Sequence, residues 1–206
     1  MERAWRASEC SHRVHVDDGQ AVQALAASIL EHMHERCSGR RSVTVVCIGT
    51  DRSTGDALGP LVGSRLAQSA PAWVRVLGTL DEPVHAANLH EVLWRIERHP
   101  DADEQGVIAV DACLGRSESV GYISVKPGAL LPGTGVNKQL PPVGDLHIIG
   151  IVNVGGFMEY FVLQNTRLSL VMRMAETIAE GVRIALEQWP AMREAAVARS
   201  PGGIQP

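Results

Sequence analysis

Apolar positions along the chain alternate between short unbroken runs and stripes spaced three or four residues apart. Val22, Leu25, Ile29 and Met33 share one helical face, which predicts a helix over 20–37, entered through Asp17-Asp18-Gly19 and ended by Ser38-Gly39. Residues 43–48 are β-branched or small and mostly apolar, the pattern of a strand buried on both faces. A second helix is expected over 59–70, burying Val62 and Leu66, followed by a strand over 73–78 and an acidic exit loop over 79–83. Leu89, Val92, Leu93 and Ile96 form another helical stripe, stopped by His99-Pro100. Residues 107–110 then read as a short apolar strand ending on Asp111, and 120–126 alternate enough to be a strand nearer an edge. A strand over 146–152 ends at Asn153, before Gly155-Gly156, and a helical region covers about 158–189 with a break near Asn165-Thr166.

Strands alternating with helices predict an α/β fold with a mostly parallel sheet covered on both faces. One domain over 20–189 is expected, with an arm over 1–19 and a Pro-, Gly- and Ala-rich tail over 190–206 that is frayed or disordered. The connection over 127–142 is too long to be mere linkage in a compact domain and points to a functional or mobile loop.

Composition narrows the function. A charged share of 20% and a net charge of −4, without a dense lysine or arginine cluster, give no nucleic-acid footprint. The polar N-terminus has no apolar core of a signal peptide and no run reaches membrane-span length, so a cytoplasmic protein is expected. The four cysteines, Cys10, Cys37, Cys47 and Cys113, have no C-x-x-C spacing, and Cys47 and Cys113 fall in or just after buried strands.

The most informative stretch is Val43-Thr44-Val45-Val46-Cys47-Ile48-Gly49-Thr50-Asp51-Arg52-Ser53-Thr54-Gly55-Asp56-Ala57-Leu58-Gly59-Pro60. A buried strand, an acidic glycine-punctuated loop and a helix start place carboxylates at the carboxyl edge of a parallel sheet, where α/β folds bind ligands. Pro60 suits a first helical position. Asp56 and Asp111 each follow a buried strand, and their loops can converge. Two neighbouring carboxyl groups resist simultaneous ionisation, so one can act as base while the other keeps a proton. The competing assignment is structural, with Asp56 capping the next helix and Asp111 a turn. Asp51, Arg52, Asn137, Lys138 and Asn153 are candidates for holding substrate. His147 alternates with Asp145 at strand spacing; a lone strand histidine is more often a satisfied structural residue, and the alternative is catalysis or metal binding beside Asp56 and Asp111. His32 and His34, two apart, do not share a helical face. Gly133-Thr134-Gly135 lacks the spacing of a phosphate loop, and no nucleophile elbow, H-E-x-x-H or dinucleotide fingerprint is present.

The run Ile48–Gly63 resembles the signature of the sporulation protein YyaC family (DUF1256), described as spore-protease-like. So do Val110-Asp111-Ala112-Cys113-Leu114-Gly115, Pro127-Gly128 with Leu131–Val136, Gly144–Asn153 and Phe157–Leu168. The likeness covers about 43–187. That family is similar to the germination protease of endospore-forming bacteria, whose Pro-Asp-Ala-Leu-Gly-Pro and Val/Ile-Asp-Ala motifs carry its proposed catalytic aspartates. Gly55-Asp56-Ala57-Leu58-Gly59-Pro60 looks like the first motif, with glycine in place of proline, and Val110-Asp111-Ala112 looks like the second. The resemblance implies a three-layer αβα sandwich, phosphorylase/hydrolase-like and shared with hydrogenase maturation endopeptidases. In those enzymes the positions matching Asp56 and Asp111 bind the substrate's nickel centre.

The leading expectation is a sporulation- or germination-associated endopeptidase using Asp56 and Asp111 without a cofactor. Its substrate would be a protein or peptide, small acid-soluble spore proteins included, in the spore or forespore. A metal-centred peptidase holding nickel or zinc through Asp56, Asp111 and His147 is the first alternative. A non-catalytic binding protein on the same fold is the second. Oligomeric state is left open, a homo-oligomer included.

Overall fold

A computed structural model describes residues 13–133 and 140–199. Among these, six strands form one sheet in the order β1-β5-β6-β4-β2-β3. In chain order the elements are β1 (Arg13–His15), α1 (Ala21–Cys37), β2 (Ser42–Cys47), α2 (Leu58–Ala67), β3 (Val74–Leu77) and α3 (Leu89–Glu97). There follow β4 (Gln105–Gly115), β5 (Tyr122–Pro127), β6 (Leu146–Val154), α4 (Glu159–Gln164) and α5 (Leu168–Arg199). Strands β3, β2, β4 and β6 run parallel, and β5 and β1 add antiparallel at one side.

The sheet is covered on both faces, giving the expected three layers, but unequally. Val43, Val45 and Cys47 of β2, with Ile108 and Val110 of β4, pack against Leu25 and Ile29 of α1, Val62 of α2 and Met174 and Ile178 of α5. The opposite face is thinner: Val46 and Ala109 meet Leu89 and Ile96 of α3, together with Val84, Leu130 and Val143 from loops. The apolar rhythm thus did its work locally, since a strand buried on both faces must be apolar at nearly every position.

Four boundaries differ from the sequence reading. Part of the expected arm is a strand: Arg13–His15 pairs with β5, and the Arg13 guanidinium lies 4.1 Å from the Tyr122 ring centre. The strand expected to end on Asp111 runs on to Gly115, because residues 111–115 pair with β6. Helix α2 starts at Leu58, so Pro60 sits within the first turn, where its missing N–H still leaves no hydrogen bond unmade. Helix α5 passes through Pro190 to Arg199, inside the stretch expected to be frayed. Buried Trp189, only 1% exposed, anchors the preceding turn, and the alanine-rich sequence beyond has high helical propensity. The expected break in the last helical region is present at 165–167.

Candidate active site

The site begins where β2 ends. Ile48 makes one parallel bridge to Val84, and the Gly49 N–H donates to the Val84 carbonyl at 2.8 Å, which draws the chain away from β4. Here backbone packs on backbone. A Cβ on Gly49 would lie 1.9 Å from the Asp56 carbonyl oxygen, and one on Gly59 2.0 Å from that of Ile48. Gly49 also has φ +148, a conformation side chains disfavour. The loop is thereby folded tightly on itself, with Thr50 N–H donating to the Asp56 carbonyl at 3.2 Å and Ala57 N–H to that of Ser53 at 2.9 Å. Asp56 does not cap α2: the helix is preceded by Ala57 and has no side-chain cap.

Asp111 lies on the adjacent strand, one residue past the last β2–β4 pair, Cys47–Val110. A continued parallel ladder would have Ala112 N–H donate to Ile48. Instead it donates to the Asp111 carboxylate at 2.8 Å. Asp56 and Asp111 line the same cleft, of about 740 Å³. Burial pushes the Asp111 carboxyl up to about 8; the Ala112 N–H opposes that rise, and the charge of Asp56 adds to it. Burial also raises Asp56, opposed by the nearby Ser53 hydroxyl. The pair therefore has one member, Asp111, that holds a proton at neutral pH.

Around these acids the cleft has two apolar walls. Leu163 of α4 packs on the face that carries most of the helices, and Tyr160 and Glu159 of the same helix line the cleft with it. Leu130 and Leu140 pack on the opposite face, and Leu131, His85 and Ala86 line the cleft as well. The second wall is pinned by a two-way backbone pairing of Leu130 with Val143 at 2.8 and 2.9 Å.

The other candidates from the sequence fall out differently. Asp51 and Arg52 are exposed on the loop: the Thr50 hydroxyl donates to Asp51, and Arg52 N–H donates to that hydroxyl. Thr50, between them and the strand, is the one that lines the cleft. Asn153 is occupied structurally, its amide donating to the Val162 carbonyl and the Thr166 hydroxyl, both at 3.3 Å, which ties β6 to α4. His147 does not join the acids. Its Nδ1 pairs with the Gly128 carbonyl at 2.8 Å, and burial lowers its pKa. Among the described residues no three His, Cys, Asp or Glu side chains are grouped to hold a metal ion, and the alternative set of Asp56, Asp111 and His147 is not brought together. Asp145 instead accepts the Val107 N–H at 2.8 Å. Asn137, Lys138 and Cys10 lie outside the described residues. Cys113 lines the cleft, but burial and Asp111 push its thiol up to about 12, which leaves no thiolate to attack.

Glu159, Tyr160 and His85 are the cleft residues that sequence reasoning missed. A compositional signal for α4 was present. Both phenylalanines of the chain and one of its two tyrosines lie within 157–161, and Phe157, Tyr160 and Phe161 are 81%, 61% and 55% exposed.

Comparison with known proteins agrees with this architecture. A crystal structure of a [NiFe] hydrogenase maturation protease, HycI from Thermococcus kodakarensis KOD1, superposes with a TM-score of 0.51 at 18% identity, covering 75% of this chain and 98% of that one. That likeness shows the fold. The hydrogenase maturating endopeptidase HybD from E. coli superposes at a TM-score of 0.46 with 17% identity, over 72% of this chain and 93% of that one. In sequence, the chain is 54% identical over 170 residues to a Bacillus subtilis (strain 168) protein described as uncharacterized protein YyaC, covering 82% of this chain and 80% of the relative. A family profile described as protein of unknown function DUF1256 matches residues 13–181, and the chain belongs to that family.

Proposed function

We propose that this chain is an endopeptidase in which Asp56 and Asp111 act as an acid–base pair on a peptide bond. The observation that carries the reading is the shared cleft with its one proton-holding carboxyl. Asp56, when charged, takes a proton from an attacking water. Asp111 hydrogen-bonds the carbonyl oxygen of the scissile bond and supports the oxyanion that forms there. The amide C–N bond then breaks as the proton held by the pair passes to the departing amine. No covalent acyl intermediate enters, since Cys113 is the only thiol in the described lining and it is protonated.

The fold similarity and the family's likeness to the germination protease support a protein substrate, with spore proteins degraded during sporulation or germination as the specific proposal. A resident nickel or zinc ion is not supported by the donor set, because His147 is committed to Gly128 and two carboxylates alone make a poor structural or catalytic zinc site. The deciding experiment incubates the purified, untagged protein with small acid-soluble spore proteins and follows fragments by mass spectrometry. Cleavage lost in Asp56→Asn and Asp111→Asn supports the assignment; cutting at the parental rate in either overturns it. Stable capture of the spore proteins with no cutting would favour the non-catalytic alternative.

A further inference from the structure

Strand β4 outruns β2. Its pairing with β2 stops at Val110, whereas its pairing with β6 continues to Gly115. Residues 111–115 therefore have one paired edge and one edge turned to the space that β2 vacates. Alternation along a strand decides which backbone groups face that space. Val110 C=O accepts from Ile48 N–H, so Val110 faces β2, and Gly115 C=O accepts from Gly155 N–H, so Gly115 faces β6. Ala112 and Leu114, in step with Val110, face the open side. The Ala112 N–H is taken by Asp111, and Thr50 N–H, the group that would have met the Ala112 carbonyl, is taken by Asp56 C=O. Among the described residues this leaves the Ala112 C=O, then the Leu114 N–H and C=O, at strand spacing and along the cleft that holds both acids.

We propose that substrate binds by strand addition: an extended peptide segment enters the cleft and lies along residues 111–115 of β4 in the place β2 leaves. This rests on the peptidase reading of the cleft and adds how the substrate is held. One residue of the added strand, opposite Cys113, donates its N–H to the Ala112 carbonyl and accepts from the Leu114 N–H, in parallel register with β4. Main-chain pairing of this kind supplies affinity, and the flanking walls supply selectivity. Because alternate side chains of the peptide point to opposite faces, one set meets Tyr160 and Leu163 and the other meets Leu130 and Leu140. The occupant this geometry selects is an extended segment with apolar side chains on both faces, a stretch buried in a folded protein and offered only by an unfolded or displaced one. A folded helix presents no free main-chain groups and does not fit.

The test uses the full-length protein and a pool of blocked ten-residue peptides carrying Val, Ile, Leu or Phe at every position except two fixed lysines at the ends. Retained peptides are identified, and the tightest is remade with N-methyl groups at alternate residues, in the two possible phases. N-methylation in the phase facing β4 is expected to weaken binding by at least ~10-fold, and in the other phase by less than ~3-fold, because only one phase supplies donors to the ladder. Leu114→Pro, which removes a ladder donor, is expected to weaken binding similarly. If that variant does not fold, the N-methyl series stands alone. No retained peptide, or equal losses in both phases, overturns the proposal. Peptides that bind with the expected phase but are never cut leave strand addition standing and remove the peptidase reading. Peptides that are cut regardless of phase do the reverse.

Discussion

The Gly55 N–H donates to the Leu163 carbonyl at 2.8 Å, so the residue before Asp56 is fastened to the end of α4. A Cβ on Gly55 would come within 2.8 Å of the Leu163 side chain and 3.0 Å of the Thr166 hydroxyl. This accounts for glycine where the germination-protease motif has proline: the position here needs both its N–H and its missing side chain. Gly55→Ala is expected to cost about 1 kcal/mol from crowding, since Leu163 can shift, and Gly55→Pro about 3 kcal/mol, since the hydrogen bond is also lost. Urea unfolding of the two variants checks the order. Equal stability of Gly55→Pro and the parent would show that the tether carries nothing.

The acid pair is expected to be catalytic and not structural. Asp56→Asn and Asp111→Asn should each lower kcat/KM by at least ~100-fold with cooperative unfolding retained, as removal of a group acting on the reacting atoms does. Asn at position 111 still accepts the Ala112 N–H, so the strand is not disturbed. Steady-state cleavage of a spore-protein substrate, paired with thermal melts, separates chemistry from folding.

The raised Asp111 carboxyl fixes the sign of two pH effects. In the unfolded chain this group titrates near 3.8, and in the fold near 8. Between those values the folded state holds a proton that the unfolded state has released, so its contribution to stability falls as pH rises from about 4 to about 8. Because the cleft is open to water, the loss is on the order of 2 kcal/mol, well below the full linkage value. Asp111→Asn should remove the decline and melt higher than the parent at pH 8.5. Activity should also fall as pH climbs through about 8, where Asp111 gives up the proton it uses. A parent protein whose stability is flat over this range would contradict the assignment.

His147→Gln is expected to keep cleavage within ~3-fold while lowering stability by about 1 kcal/mol, the usual worth of one buried hydrogen bond. The ring serves the Gly128 carbonyl and not the acids. Loss of activity with intact folding, restored by added nickel or zinc, would return the metal-centred alternative.

The periodic parts of this fold were legible because burial dictates residue type. A strand sandwiched between layers needs apolar residues throughout, which is why β2 and the helical stripe of α1 stand out in the sequence. Three features were not legible, each for its own reason. β1 is three residues long, too short for any period, and is held by pairing and by Arg13 over Tyr122. The extension of β4 past Asp111 is set by the length of β6, whose paired residues lie 38 or 39 positions further along the chain. Asp56 and Asp111 line one cleft because β2 and β4 are neighbouring parallel strands, although Asp111 lies within β4 and not at its end. The walls are tertiary products: α4 is entered through Met158, whose φ of 51 is left-handed and carries no periodic signature. His147 has the structural partner that a lone strand histidine is more often expected to have, the Gly128 carbonyl.

The close approaches at Gly49 and Gly59 bear on how this site can evolve. Main chain lies directly on main chain beneath the two acids, with no side chains between to be trimmed or enlarged. The distance between the loop of Asp56 and the end of β2, which the Ile48 N–H fastens to the Val110 carbonyl beside Asp111, is therefore closed to gradual adjustment. Adaptation to another substrate is expected to fall on the leucine and tyrosine walls, so sequence drift should concentrate at Leu130, Leu140 and Tyr160 and spare Gly49 and Gly59.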